Sequence, residues 1–180
     1  MTNTSVRNTH AAATVIAAVA MVAALVSGCG AVSSMMNDGV SNPITPEQSK
    51  AQVIDAATEI VGILNLQVIE PAFWHSSCND QGEAPFRGRM MIGYPLASSF
   101  EASDAEVAQM VQLLQTKGWT TDSDLHSHSA TLTKNGVVAV LAPQAVGDST
   151  RGLEVLGECR DTTTTKDTKG TTEIVNLSTP

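Results

Sequence analysis

Asp122, Asp124, His126 and His128 stand two residues apart, a spacing that suggests metal chemistry. In an extended segment all four side chains share one face, and carboxylate plus imidazole donors suit zinc or another divalent cation. A straight strand, however, spreads positions i to i+6 over roughly 20 Å, so at most two neighbours reach one ion. Asp, Ser and His are also ordinary residues of a solvated loop after a helix, and no cofactor is expected. His75 beside Ser76 and Ser77 offers a base next to hydroxyls, but a catalytic triad needs partners adjacent in space, and no G-x-S-x-G elbow occurs. A His75–Cys78 pair loses its nucleophile once Cys78 is bridged. Arg87 and Arg89, alternating with Gly88 and Met90, either recognise an anion or hydrate a strand face. Gly147 and Gly152 lack the spacing of a phosphate loop. None of these constellations specifies a reaction, so the chain is not expected to be an enzyme.

The elements that must position these residues belong to an acidic chain. Ten Lys and Arg against 18 Asp and Glu give a net charge of −8, which argues against a nucleic-acid partner. Its 180 residues fit one domain plus flanking segments. Thirteen Gly, three Cys and a single long apolar run exclude collagen-like, knottin-like and multi-span membrane classes.

That apolar run is residues 11–26, preceded by Arg7 and closed by Ser27-Gly28-Cys29. A short basic region, an apolar stretch and small residues make a secretory signal, and the run is shorter than the roughly 20 residues of a spanning helix. Val26-Ser27-Gly28-Cys29 resembles the bacterial lipobox, in which the thiol receives a diacylglycerol and a peptidase cuts just before the Cys. The resemblance implies lipidation of Cys29, with diacylglycerol and acyl groups as the membrane partner. It also implies an exported chain held at the outer face of the cell membrane. An ordinary signal peptide with Cys29 as a spare thiol, or an uncleaved anchor, is the alternative.

The resulting organisation is a signal peptide over 1–28, a flexible tether over 29–45, a domain over 46–161 and a disordered Thr-rich tail over 162–180. Within the domain, Thr45-Pro46-Glu47-Gln48 is a capping box with Pro at the first helical position. Val53, Ala57, Ile60, Val61 and Leu64 continue it as an amphipathic helix, widened by Ile54. A second capping box, Ser103 to Glu106, is expected to open the other helix, with Val107, Met110, Val111 and Leu114 inward and Lys117-Gly118 at its end. Strands are expected over 68–75, 86–95 and 153–159, and Lys134-Asn135-Gly136 marks a hairpin. The order helix, two strands, helix, three or four strands predicts an α+β fold: a small antiparallel sheet with two helices packed on one face.

With Cys29 committed to lipid, Cys78 and Cys159 remain, and an oxidising compartment favours their union. The bridge spans 81 positions, worth about 4.5 kcal/mol by chain entropy; two free thiols are the alternative. The lipobox, the capped helix, Trp74 before Cys78, Phe100 leading into SDAEVAQMVQLLQTKGW, and Gly152 to Cys159 before a polar tail together resemble the small mycobacterial lipoproteins of the LppA-like type. The resemblance implies a location and the Cys78–Cys159 disulfide, and no mechanism. The expected function is a lipid-anchored, non-catalytic envelope module that binds a protein or lipid partner. The alternative is a metal-binding or hydrolytic envelope module using Asp122, Asp124, His126 and His128.

Overall fold

The computed structural model describes residues 39–121 and 129–177. Two helices, α1 (Pro46–Leu64) and α2 (Phe100–Gln115), accompany six strands: β1 (Ile69–Ser77), β2 (Phe86–Tyr94), β3 (Ala130–Lys134), β4 (Val137–Leu141), β5 (Arg151–Leu156) and β6 (Glu173–Ile174). The strands form one wholly antiparallel sheet in the order β3-β4-β5-β2-β1-β6, giving the expected α+β class.

Helix α1 starts where its sequence directs. The Thr45 hydroxyl accepts from the Gln48 N–H at 3.2 Å, and the Gln48 side chain accepts from the Thr45 N–H at 2.9 Å. Val53, Ala57, Ile60 and Val61 are buried against the sheet. Asn65 closes the helix in a left-handed conformation that Asn tolerates better than most residues.

Strand β2 alternates strictly. Phe86, Gly88, Met90, Ile92 and Tyr94 are buried beneath the helices, and Arg87, Arg89, Met91 and Gly93 face the other way, half-buried. Gly88 is where α1 touches the sheet. Its N–H donates to the Ser49 hydroxyl at 2.7 Å, and a Cβ there would lie 2.5 Å from the Ser49 carbonyl oxygen. Gly157 is similarly crowded, with a Cβ position 2.9 Å from the Gln52 side-chain oxygen. Two glycines on neighbouring stretches of chain thus form the seat of the helix. The β3–β4 hairpin turns at Asn135-Gly136, both with positive φ, as the sequence predicts.

Two expectations are corrected. Helix α2 begins at Phe100, with Ser99 as its cap accepting from the Ala102 N–H at 3.1 Å, and not at Ser103. The residues of the apparent second capping box have tertiary partners instead: the Ser103 hydroxyl accepts from the Gln144 N–H at 2.9 Å, and Glu106 pairs with Arg151 at 2.6 Å. Residues 162–177, expected as disordered tail, are folded onto the sheet. Thr164 is buried beside Asp161, β6 pairs with β1, the Val175 N–H donates to the Pro71 carbonyl at 3.0 Å, and Val175 and Leu177 pack on the core. The Thr-rich composition obscured a short apolar run, Ile174-Val175-Asn176-Leu177, which needs only a strand edge to bind. The end of the expected tether is fastened too, since the Ile44 N–H donates to the Arg160 carbonyl at 3.0 Å and the Arg160 guanidinium donates to the Asn42 carbonyl at 2.7 Å.

Cys78 and Cys159 are joined, linking the end of β1 to the segment after β5. Gly88→Ala is expected to cost about 2–3 kcal/mol, since the added methyl meets backbone and not a yielding side chain. Removing the bridge with Cys78→Ser and Cys159→Ser is expected to cost about 4 kcal/mol. Urea denaturation of the full chain measures both, and a Gly88→Ala midpoint equal to the parent's would contradict the close seat.

Candidate functional site

Among the sequence-selected residues, Cys29 and the Asp122, Asp124, His126, His128 run lie outside the described residues. Among the described residues no group of three or more His, Cys, Asp or Glu is arranged to hold a metal, and no helix is long and apolar enough to cross a membrane. His75, Ser76 and Ser77 do not converge. Strand alternation sets His75 opposite Gly88 on the helix side and Ser76 opposite Arg87 on the other. The Ser77 hydroxyl is held by the Glu83 carbonyl at 2.6 Å.

What His75 meets was not read from the sequence. Its Nδ1 lies 4.0 Å from the carboxylate of Asp161, which is fully buried. Asp161 exchanges backbone hydrogen bonds with Phe86, and its carboxylate accepts from the Thr163 and Thr164 N–H groups, both at 3.0 Å. The Thr164 hydroxyl donates to it as well. The pattern Asp161-Thr162-Thr163-Thr164 is the available signal, because Asp readily accepts from the backbone two and three residues on. The Phe73 ring meets the His75 ring edge-on at 5.0 Å; Lys50 lies over Phe73 and pairs with Glu173 of β6. Burial holds the His75 imidazole below its ordinary range, although Asp161 and Glu173 pull the other way and Lys50 reinforces it. Burial would raise the Asp161 carboxyl, but the bonds from Thr164 and Thr163 prevail and hold it below the usual carboxylate value. This buried cluster fastens the C-terminal segment and leaves little room for a substrate.

The opposite sheet face is more open. Among the described residues no helix covers it. Arg89 pairs with Glu154 across the β2–β5 ladder and lies over the Trp74 ring at 5.2 Å. Arg87, on the same face, forms no ion pair among the described residues, and its buried Nε finds no acceptor there. Burial, then the neighbouring charge of Arg89, pulls the Arg87 guanidinium below its ordinary range, with Glu154 opposing. Met91 continues the row, and beyond it Gly93 lies opposite Gly152. The arrangement suits recognition of a group by charge and flat contact. It presents no nucleophile paired with a base.

The family model described as "Putative lipoprotein LppJ" matches residues 45–177, a span that takes in nearly all of the described residues. Among curated proteins, "Putative lipoprotein LppJ" of Mycobacterium bovis is 33% identical over 167 residues, 87% of this chain and 87% of the relative. The protein of the same name from Mycobacterium tuberculosis (strain CDC 1551 / Oshkosh) is 32% identical over the same length and coverage. No solved structure matches the chain. The mycobacterial lipoprotein class expected from the sequence stands, with LppJ as the group in place of the LppA-like type.

Acid titration reads the His75 cluster. The folded chain keeps His75 neutral below its ordinary 6.5 while the unfolded chain takes up the proton, so stability declines as pH falls from about 6.5. Asp161 contributes above its ordinary 3.8 and loses its contribution only at more acid pH, so the two effects separate. Melting temperature is expected to fall between about pH 7 and pH 5, and His75→Gln to flatten that slope. A variant slope equal to the parent's would refute the assignment.

Proposed function

The chain belongs to the LppJ lipoprotein family, and on that premise we propose that it is anchored by lipid on Cys29 at the outer face of the cell membrane and serves there as a binding module. The observation that carries this reading is the succession of a lipobox, Val26-Ser27-Gly28-Cys29, and a domain closed by a disulfide. Thiols pair stably in oxidising compartments, so the bridge fits an exported chain. The acidic balance, −8 overall, opposes electrostatic attachment to anionic headgroups, which leaves covalent lipid as the anchor. Two acyl chains or more hold a protein at a bilayer firmly, where one is marginal.

The domain starts close behind the anchor. Its chain is fastened to Arg160 from Asn42 onward, so residues 30–41 serve as the tether in this reading. The binding role rests on the open sheet face, where Trp74, Arg89 and Glu154 interlock beside Arg87. Protein recognition sites favour such aromatic and Arg anchors.

Mass spectrometry of detergent-extracted protein is expected to find a mature chain beginning at Cys29 and carrying a diacylglycerol with or without an N-acyl chain. Cys29→Ala is expected to leave the membrane fraction without that mass. An unmodified Cys29, or a mature N-terminus elsewhere, would overturn the anchor.

A further inference from the structure

The outer face of β2 carries a guanidinium, Arg87, that no carboxylate pairs among the described residues. Arg89 is fully engaged, paired with Glu154 and laid over Trp74. Arg87, two residues away on the same face, is half-buried and makes no ion pair among the described residues. A partly desolvated guanidinium ordinarily finds a carboxylate, because the loss of hydration is otherwise uncompensated. Across the ladder from Arg87 stands Ser76, whose hydroxyl proton is engaged in one long bond of 3.4 Å to the Ser77 carbonyl and turns to a ligand by giving up that bond.

We propose that Arg87 is the anion-binding residue of a shallow ligand site on the open sheet face, and that this site takes a carboxylate carried on an apolar body. The inference rests on the binding-module reading and supplies its ligand chemistry. A guanidinium fork matches a carboxylate in two parallel bonds, and Ser76 offers a further donor beside it. Trp74, opposite Arg89, and Met91, opposite Ala72, provide the apolar ground along the same face. Glu154, on the same face, is paired with Arg89, which leaves Arg87 for the ligand.

The charge balance selects among anions. A chain of net charge −8 repels a polyanion or an anionic membrane surface as a whole, whereas one carboxylate at a local cation suffers little once salt screens beyond about 10 Å. The site therefore suits a small monoanion.

The test uses the full chain extracted in detergent, with the mass on Cys29 determined separately, so that loss of the anchor and loss of the ligand site are distinguishable. Benzoate, acetate and neutral benzamide are titrated while Trp fluorescence is followed; buried Trp119 serves as the insensitive reference and Trp74 as the reporter. Benzoate is expected to bind in the millimolar range, with acetate and benzamide each about tenfold weaker, since a charge-assisted pair and an apolar contact contribute comparable amounts. Arg87→Gln is expected to reduce benzoate to the level of benzamide, Arg87→Lys to restore part of it, and Lys166→Gln, which removes a charge already paired with Glu83, to leave it unaltered. Melting curves confirm that each variant is folded. Benzoate binding unchanged in Arg87→Gln, no binding at any concentration reached, or an equal loss in Lys166→Gln would each overturn the proposal.

Discussion

A helix approaches a sheet only as closely as the side chains between them permit, and at Ser49 that separation is set by the absence of one. The Ser49 hydroxyl holds the Gly88 N–H at 2.7 Å, and the Ser49 carbonyl occupies the space where any larger residue at 88 would begin. With the first turn of α1 seated there, Val53 falls between Gly88 and Gly157, and Gln52 reaches the chain beyond β5. Its side chain donates to Glu158 at 2.8 Å and accepts the Glu158 N–H at 3.1 Å. Cys159 follows at once, so the contact that seats the helix also delivers one end of the disulfide.

The same strand parity that builds the core builds the exposed chemistry. Because β2 alternates without a bulge, sending Phe86, Met90, Ile92 and Tyr94 inward obliges Arg87, Arg89 and Met91 to emerge together on the far side. No loop insertion is needed to assemble that row. A face formed this way is laid out by the same strand that packs the core, which favours recognition by a preformed surface.

Legibility in the sequence followed the range of the interactions. The Thr45 cap, the Asn135-Gly136 turn and the alternation of β2 depend on neighbours a few residues apart, and each was readable with the overall α+β order. Helix α2 starts earlier than the local pattern suggests, because Ser103 and Glu106 imitate a cap while their partners, Gln144 and Arg151, lie some forty residues away. The strand in the C-terminal segment is hidden from local patterning for a related reason: Glu173 and Ile174 gain their structure from β1, about a hundred positions earlier. In the candidate sites, the alternation of Arg87 and Arg89 was visible as a pattern. That Arg89 is neutralised by Glu154 and Arg87 is not depends on which strand lies beside β2, which periodicity does not encode.

The fastening of Ile44 and Asn42 to Arg160 ties the stretch just before α1 to the segment that follows β5. A polypeptide leaves the ribosome, or a protein-conducting channel, beginning with its N-terminus. Here α1 can rest early on the β1–β2 hairpin, but its bonds to Glu158, its contact with Gly157 and the disulfide wait until residues 151–161 have emerged to flank β2. Maturation of this domain is therefore an event that follows delivery of the whole chain, not one that advances with it. Cys78 must wait, as a thiol, through the synthesis of every residue that separates it from Cys159.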